Sequence, residues 1–357
     1  MGLTDISDAD VRGLAASVQY FEIVLILIAI LATRKFNISR SARFLMKPAN
    51  FLPYLLLVVA SFISLFNGRL EGLETNLKPL GVVLLILIID SDRLDPKIYT
   101  SLIKIAMVFL ILEYLLYYSG AFGEKSHLTR NFGLIRPHGL FLDVQLSSFF
   151  ICVGLFALGH RVLAGFLSIV MGSLTTTLVI VFLYATSRFN FRFLLIFLPF
   201  LLAAYITADL AGTLSADATS KSITYVYLEL LTSDYLDLAN SSCYVFGCSS
   251  NVNTSVEDYI IADVGFFRVA YQYGLIWMVL FLYIVRRYNK RYLIAHLIPL
   301  LHYAVTFGAL GIVLFLMSLK YVESLEARSG TQSRGAKRSR QPMQGSTKGL
   351  SAEPGTA

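Results

Sequence analysis

The chain has 357 residues, of which 56% are hydrophobic and 15% charged, and its mean hydropathy is +0.67. This is too apolar for a soluble globular domain of this length and predicts a polytopic membrane protein. The net charge of +7 does not indicate nucleic-acid binding, because the Lys and Arg residues lie in short blocks beside apolar segments, as in cytoplasmic membrane loops. No cleavable signal peptide is expected, since residues 1–10 are acidic and the first apolar segment is long enough to span.

The apolar segments predict membrane-spanning helices, and the basic residues between them predict which way each helix runs. Leu14–Thr33 is the first, and the basic stretch Arg34–Lys47 after it predicts a cytoplasmic loop and therefore an external amino terminus. Further spans are expected, in order, at Phe51–Phe66, Pro79–Ile89, Ile98–Tyr118 and Leu140–Leu158. With this topology the polar segment 119–139 lies on the external face.

The next apolar segment, Val162–Ala185, fits this topology in two ways. As a single helix, it would place the long polar segment after Ala211 inside the cell. As two short helices that meet at Gly172–Thr177, each reaching about halfway through the bilayer, it keeps that polar segment outside. Non-helical backbone at this depth is tolerated where it lines a buried or watery cavity, and Ser and Thr can satisfy the freed backbone groups. The hairpin of two short helices is favoured, and the single helix is the alternative.

The following segments continue the same pattern. Phe193–Ala208 is expected to cross outward, which leaves 209–261 as a long external loop. Val264–Val285 then crosses inward and ends at a basic cluster that begins with Arg286, in agreement with the orientation predicted from the first loop. Long loops on compact proteins are usually functional or disordered, so the 209–261 loop is a candidate part of the site.

The predicted organisation has two parts. Residues 1–325 form an integral membrane domain, in which 119–139 and 209–261 are the external loops. Its last apolar stretch, Tyr292–Leu319, is long for one helix and is expected to break near 302–308. Residues 326–357 are rich in Ser, Gly, Arg, Lys and Gln with almost no large apolar residue, which predicts a disordered cytoplasmic tail.

Two of the three cysteines lie close together in the long external loop. Cys243 and Cys248 are near each other in sequence and, on this topology, face an oxidising compartment. This predicts a disulfide that closes a tight loop around Phe246 and Gly247. Cys152, in contrast, lies inside an apolar segment.

Three arginines are candidates for binding an anionic substrate. Arg136 lies between Gly and Pro residues at the predicted outer edge of the membrane, and its guanidinium offers a fork of donors that suits phosphate. Arg130 could join it to clamp a pyrophosphate, whereas the alternative for both is an interfacial side chain that reaches lipid headgroups. Arg268 lies inside an apolar segment, where a charge is costly and usually functional. Its alternative is a structural ion pair with Asp143 or Glu113.

Asp143 and Asp263 each open a predicted span and are the preferred candidates for a general base. Either could instead be a carboxylate stabilised by a helix N-terminus. The other possible bases are His138, His127, Glu257 and Asp258, and each histidine is a weak candidate by itself. No metal site is predicted, because the histidines lack the spacing and the further ligands of a zinc site.

Two carboxylates, Glu22 and Glu113, lie within apolar segments. A charged group is expensive there unless it is paired, so both are expected to face the interior of the helix bundle and to form structural pairs.

Three local motifs occur in order along the chain. The first is Arg136-Pro-His-Gly139-Leu-Phe141-Leu-Asp143, the second is Val245-Phe246-Gly247, and the third is Asp263-Val-Gly265-Phe266 followed by Tyr273-Gly274-Leu-Ile. In sequence and predicted placement they resemble the Wzy-type O-antigen and capsular polysaccharide polymerases and the related O-antigen ligases. The resemblance covers roughly Ile98–Val285; the earlier segments match only in hydropathy.

The resemblance implies an all-α, GT-C-like bundle of about 8 to 11 transmembrane or half-membrane helices with a large periplasmic loop. Such a protein lies in the bacterial inner membrane, with its active site facing the periplasm. It is a glycosyltransferase that moves a growing glycan from undecaprenyl pyrophosphate to the terminal hydroxyl of another lipid-linked repeat unit, with inversion and without a metal or another cofactor. A chain-length regulator and a flippase are protein partners compatible with this reaction.

In that scheme Arg136, helped by Arg130 and Arg268, holds the pyrophosphate leaving group as its charge develops. Asp143 or Asp263 activates the acceptor hydroxyl. The chain departs from the family in its long external loop, where Lys221 is the only Lys or Arg and no His is present. Ligases of this superfamily rely on a histidine in that loop, so the ligase hypothesis is weaker than the polymerase hypothesis.

A transporter or flippase of lipid-linked glycans is the alternative from another functional class, with the broken helices as its substrate site. The internal repeat usual in such proteins is not evident in the sequence. A membrane acyltransferase is less consistent with the sequence, because His160 and His296 lack polar surroundings.

Overall fold

The computed structural model describes residues 21–28, 47–67, 78–91, 96–119, 129–131, 134–141, 144–188, 203, 207, 241–248, 265–301, 303 and 305–339. Within these ranges the chain is helical, apart from turns and one short β hairpin. The predicted helical class is therefore confirmed, whereas the hairpin was not expected from the sequence. Two predicted spans lie mostly outside the described residues, namely Leu14–Thr33 and Phe193–Ala208.

The elements are numbered here in chain order. They are α1 (Pro48–Asn67), α2 (Lys78–Ser91), α3 (Pro96–Tyr118), β1 (Thr129–Asn131), β2 (Leu134–Arg136), α4 (Val144–Ala157), α5 (Arg161–Val170), α6 (Leu174–Arg188), α7 (Ser241–Phe246), α8 (Gly265–Tyr273), α9 (Leu275–Val285), α10 (Lys290–Leu297), the 3-10 turns η1 (Ile298–Leu301) and η2 (Val305–Phe307), and α11 (Ala309–Ser339). Residues 21–28 are also helical.

Helix α4 lies at the centre of the helices that the structure describes. Every residue from Leu146 to Ala157 is buried, which is the behaviour of a helix that is apolar on all sides. It packs against α3, α5, α6 and α11. The predicted span began at Leu140, but α4 begins at Val144, and Leu140 and Phe141 belong to a turn.

The break predicted in Val162–Ala185 is confirmed. Helix α5 ends at Val170 and α6 begins at Leu174, so the alternative of one continuous helix is wrong. Ser173 caps the second helix, since its Oγ accepts from the backbone N–H of Thr176 at 3.3 Å. Ser148 of α4 lies 3.4 Å from the Thr176 hydroxyl, so the polar start of α6 meets a polar position on the central helix.

The break predicted in Tyr292–Leu319 is also confirmed, because the chain passes through η1 and η2 between α10 and α11. His296 lies beside this break and is fully buried, with its Nε2 3.1 Å from the hydroxyl of Ser318. The predicted disordered tail needs correction, since α11 continues through 326 to Ser339. Residues 340–357 lie outside the described ranges.

The predicted span Val264–Val285 is not one straight helix. Helices α8 and α9 are bent by 102° at Gly274, whose φ of +90° ends the first helix before the second begins. Hydrogen bonds fix the joint to other helices: the Tyr273 hydroxyl donates to the carbonyl of Phe307 at 3.1 Å, and Trp277 Nε1 donates to Ser61 Oγ at 3.0 Å. Periodicity alone did not predict this bend.

One described helix, α3, is long and apolar enough to cross a membrane, and the bent pair α8 and α9 would be a second if counted together. Only 22% of the most apolar 18-residue stretch of α3 is buried inside the protein, whereas the core helix of a soluble domain is mostly buried. Its exposed large apolar side chains are Ile105, Val108, Phe109, Ile111, Leu112, Leu115 and Leu116. Helix α1 exposes a similar apolar face that includes Phe51, Leu55, Phe62 and Phe66.

Candidate functional site

The first part of the candidate site is the β hairpin that carries Arg130 and Arg136. The strands are antiparallel, and Arg136 pairs with Thr129 while Arg130 pairs with Ile135. Neighbouring pairs of an antiparallel ladder belong to alternate faces of the sheet. The hairpin therefore brings the two arginine positions into adjacent pairs but on opposite faces. That they bind one pyrophosphate together stays a prediction.

Directly after β2, the chain is held by the carboxylate of Glu113, near the end of α3. The backbone N–H of His138 donates to Glu113 Oε1 at 2.9 Å, and the backbone N–H of Gly139 donates to Oε2 at 2.6 Å. Nδ1 of the His138 ring lies 3.4 Å from Oε1. One carboxylate thus contacts three nitrogen atoms of two consecutive residues. We call Pro137–Gly139 the anchored turn.

The anchored turn is also held from its other side, by the central helix. The Ser147 hydroxyl of α4 donates to the carbonyl oxygen of His138. Pro137, the first residue of the turn, and Phe141, two residues after it, are buried. Since Arg136 immediately precedes Pro137, these contacts determine where the backbone of Arg136 leaves the hairpin.

The second part of the candidate site is the loop closed by Cys243 and Cys248. The predicted disulfide is present, with 4.9 Å between the two Cα atoms. Helix α7 carries Cys243 and continues into the loop as far as Phe246. The loop docks on the end of α8, because the backbone N–H of Cys248 donates to the carbonyl of Tyr271 at 2.9 Å. The disulfide loop therefore has a defined position on the helix bundle.

Two glycines make this docking possible. A Cβ atom on Gly247 would lie 2.5 Å from the carbonyl carbon of Tyr273, and a Cβ on Gly274 would lie 2.5 Å from that of Phe246. Both glycines have positive φ, +84° and +90°, which L-residues with a side chain rarely adopt. The Val245-Phe246-Gly247 and Tyr273-Gly274 motifs are thus in direct backbone contact.

An aromatic cluster lines this contact. Tyr244 lies edge-on to Tyr271 at 5.6 Å and to Phe267 at 6.3 Å between ring centroids. Burial, and secondarily the neighbouring Tyr271, raises the pKa of the Tyr244 hydroxyl above its ordinary value. Arg268 lies on α8, the helix that also carries Phe267 and Tyr271, and its side chain is exposed. Among the described residues no carboxylate forms an ion pair with Arg268, so the alternative of an ion pair with Glu113 is not seen.

The remaining predicted site residues are described in part or not at all. Asp143, Asp263 and His127 lie outside the described residues, as do Glu257 and Asp258. For Arg130 and Arg136 the structure describes the backbone only. Their roles stay predictions.

The sequence identified Glu113 as a buried carboxylate that needs a partner, but it did not identify the partner. The structure supplies one in His138, together with two backbone donors. Ser147 was not singled out, because a serine in an apolar helix has no distinctive sequence signal. Its contact with the His138 carbonyl depends on how α4 packs beside the turn.

Comparisons of the chain with protein-family models, with curated proteins and with solved structures find no match. The motifs and the contacts of this chain are therefore what supports a function.

Replacing Cys243 and Cys248 together by serine is expected to lower stability by about 2 kcal/mol, because the short closed loop would regain its freedom in the unfolded state. Thermal unfolding of the detergent-purified protein, compared with and without reductant, measures this. Cys152→Ser is the matched control, since that buried thiol is free. An unfolding midpoint that reductant does not change in the wild-type protein would contradict the expectation.

Proposed function

We propose that this chain is a polysaccharide polymerase of the bacterial inner membrane. It would transfer a growing glycan from undecaprenyl pyrophosphate to the terminal hydroxyl of another lipid-linked repeat unit, at the periplasmic face. In this proposal it is a polytopic protein, and the helices that the structure describes are its membrane core together with short and half-membrane helices.

The observation that carries this proposal is the contact between Val245-Phe246-Gly247 and Tyr273-Gly274. These two motifs are part of the resemblance to Wzy-type polymerases, and they are far apart in the sequence. Their glycines are packed backbone to backbone, and the disulfide holds the loop in place. Motifs that match a family by chance are not expected to lie in contact in the folded chain. The contact therefore supports the interpretation that these two motifs belong to one functional site.

A membrane position is supported by the exposed faces of α1 and α3. Large apolar side chains cover these faces along their length, and soluble monomers rarely expose contiguous apolar patches of that kind. In a bilayer such faces contact acyl chains, whereas the polar contacts of Glu113, His138 and Ser147 lie at the end of α3 and the start of α4, where a membrane would meet water.

The proposed chemistry needs a cation for the leaving group and a base for the acceptor. As the bond between the donor sugar and the pyrophosphate breaks, negative charge develops on the pyrophosphate, and a fixed guanidinium stabilises that charge. Arg136 has this role in the proposal, since the turn after it is anchored. Arg130 and Arg268 are the additional cations.

The test is the glycan profile of the source bacterium without this gene and after complementation. Under the proposal, deletion leaves single repeat units on the lipid carrier or on lipid A, and the wild-type gene restores a ladder of long chains. Long chains that are made but stay on their carrier would instead identify a ligase. Loss of all repeat units from the periplasmic face, with repeat units retained inside, would identify a flippase or transporter, and an unchanged profile would contradict a role in glycan assembly.

A further inference from the structure

The contacts of Glu113 determine the orientation of the His138 ring as well as the path of the backbone. The Glu113 side chain is 16% exposed and that of His138 34%, so the pair is largely sheltered while the ring keeps one open side. With Nδ1 placed 3.4 Å from the carboxylate, the favoured neutral ring carries its proton on Nδ1. Nε2 then carries the lone pair. Within the described part of the chain, Nε2 has no hydrogen-bond partner.

This orientation is held by more than the ring contact. The same carboxylate accepts two backbone N–H bonds, and Ser147 donates to the carbonyl of His138. The peptide units on both sides of His138 are therefore fixed, and the ring is left with few orientations. A histidine whose second ring nitrogen faces a carboxylate is held in the orientation that proton transfer requires.

We propose that His138 is the general base of the transfer and that Glu113 is the residue that positions it. This inference rests on the proposed function, because it assigns the acceptor chemistry of that same site. Arg136 and His138 are two residues apart, so their Cα atoms lie within roughly 7 Å. A sugar ring is of similar size. Both residues can therefore lie beside one donor sugar, whose anomeric carbon the acceptor attacks on the side opposite the pyrophosphate, as inversion requires.

Nε2 of His138 takes the proton of the acceptor hydroxyl, and the oxygen forms a bond to the anomeric carbon of the donor. The bond between that carbon and the pyrophosphate oxygen breaks, and its electron pair leaves with the pyrophosphate. Glu113 stabilises the imidazolium that forms, and the proton then passes to solvent or to the released pyrophosphate. No metal or redox partner takes part.

The first test measures the ring itself and needs no activity. The chain has five histidines, so nitrogen-15 labelling of histidine gives a simple spectrum, in which His138→Gln identifies the His138 signals. We expect His138 to be protonated on Nδ1 at a pH where the ring is neutral, and Glu113→Gln to remove this preference. Glu323→Gln, at an exposed glutamate of α11, is the control and leaves it unchanged. A wild-type ring protonated mainly on Nε2 would overturn the proposal.

The second test measures turnover in membranes of the deletion strain, whose own accumulated repeat-unit lipids are the substrate. We expect His138→Ala to slow chain growth by about 100-fold or more, and added imidazole to restore part of the rate. His160→Ala, at an exposed turn, is the matched control and keeps the wild-type rate.

The outcomes separate this inference from the function on which it rests. If the wild-type protein forms no chains from these lipids, the proposed function fails. If the wild type forms chains and the His138→Ala variant forms them equally fast, the proposed polymerase function is supported, but His138 is not the general base. A slow His138→Ala variant that imidazole does not restore, although it still carries the Cys243–Cys248 disulfide and purifies as a monodisperse protein, also overturns the assignment of a base.

Discussion

Gly247→Ala is expected to cost roughly 3 kcal/mol or more of folding stability and to release the disulfide loop from α8. The added Cβ would lie 2.5 Å from the carbonyl carbon of Tyr273, 2.6 Å from its oxygen and 2.6 Å from Ser64 Oγ. Two of these three atoms belong to the backbone, which cannot rotate away. Alanine would also have to adopt a φ of +84°. A thermal unfolding curve of the purified protein, together with protease sensitivity of the loop, measures the effect.

Gly165→Ala is the matched control for this substitution. Gly165 lies in α5, and a Cβ there meets nothing within 4 Å. Alanine favours a helix more than glycine does, so this variant should be as stable as the wild type or about 1 kcal/mol more stable. Gly274→Ala should resemble Gly247→Ala, and the double variant should be less than additive, because both residues form one contact. Equal stability of Gly247→Ala and Gly165→Ala would show that the loop does not dock as described.

Arg136→Ala is expected to abolish the ladder of long chains in complemented cells, with a rate loss of about 100-fold or more, because the leaving pyrophosphate would lose its charged donor. Arg136→Lys should retain a small part of the activity, since an ammonium keeps the charge but not the paired donors of a guanidinium. Glycan gels and quantification of the unpolymerised repeat unit provide the measurement.

Two controls distinguish a catalytic loss from misfolding. Arg188→Ala removes an arginine that is exposed in the last turn of α6, and it should support normal chain length. The Arg136→Ala protein itself should still form the Cys243–Cys248 disulfide, because the described contacts of that loop are made with α1, α8 and α9. A normal ladder from Arg136→Ala, at wild-type expression, would remove Arg136 from the proposed site.

The helices and their breaks could be predicted from local sequence to a large extent. The break before Leu174 follows from a polar Gly-Ser-Leu-Thr run in an apolar segment, and the break between α10 and α11 follows from a segment too long for one span. The pairing of Cys243 with Cys248 follows from their spacing. The tail was predicted less well, because a polar composition disfavours a buried core but does not prevent α11 from continuing to Ser339.

The candidate site could be predicted only in part. Arg136, His138 and the glycine motifs stood out because of their residue types and order. The sequence did not predict strands around Arg136, because three-residue strands are too short to show an alternating pattern. Nor did it predict that Arg130 and Arg136 occupy opposite faces, since this depends on the register of the hairpin.

The sequence by itself determined the helical class, the positions of two helix breaks and the disulfide, because each depends on residues that are neighbours along the chain. Tertiary structure alone decided that Glu113 accepts hydrogen bonds from the turn 25 residues later, that Gly247 packs against Gly274, and that α8 and α9 are bent by 102°. Those features join segments whose approach is decided by the packing of whole helices. A local pattern can show that a buried carboxylate needs a partner, but only the packed chain can supply it.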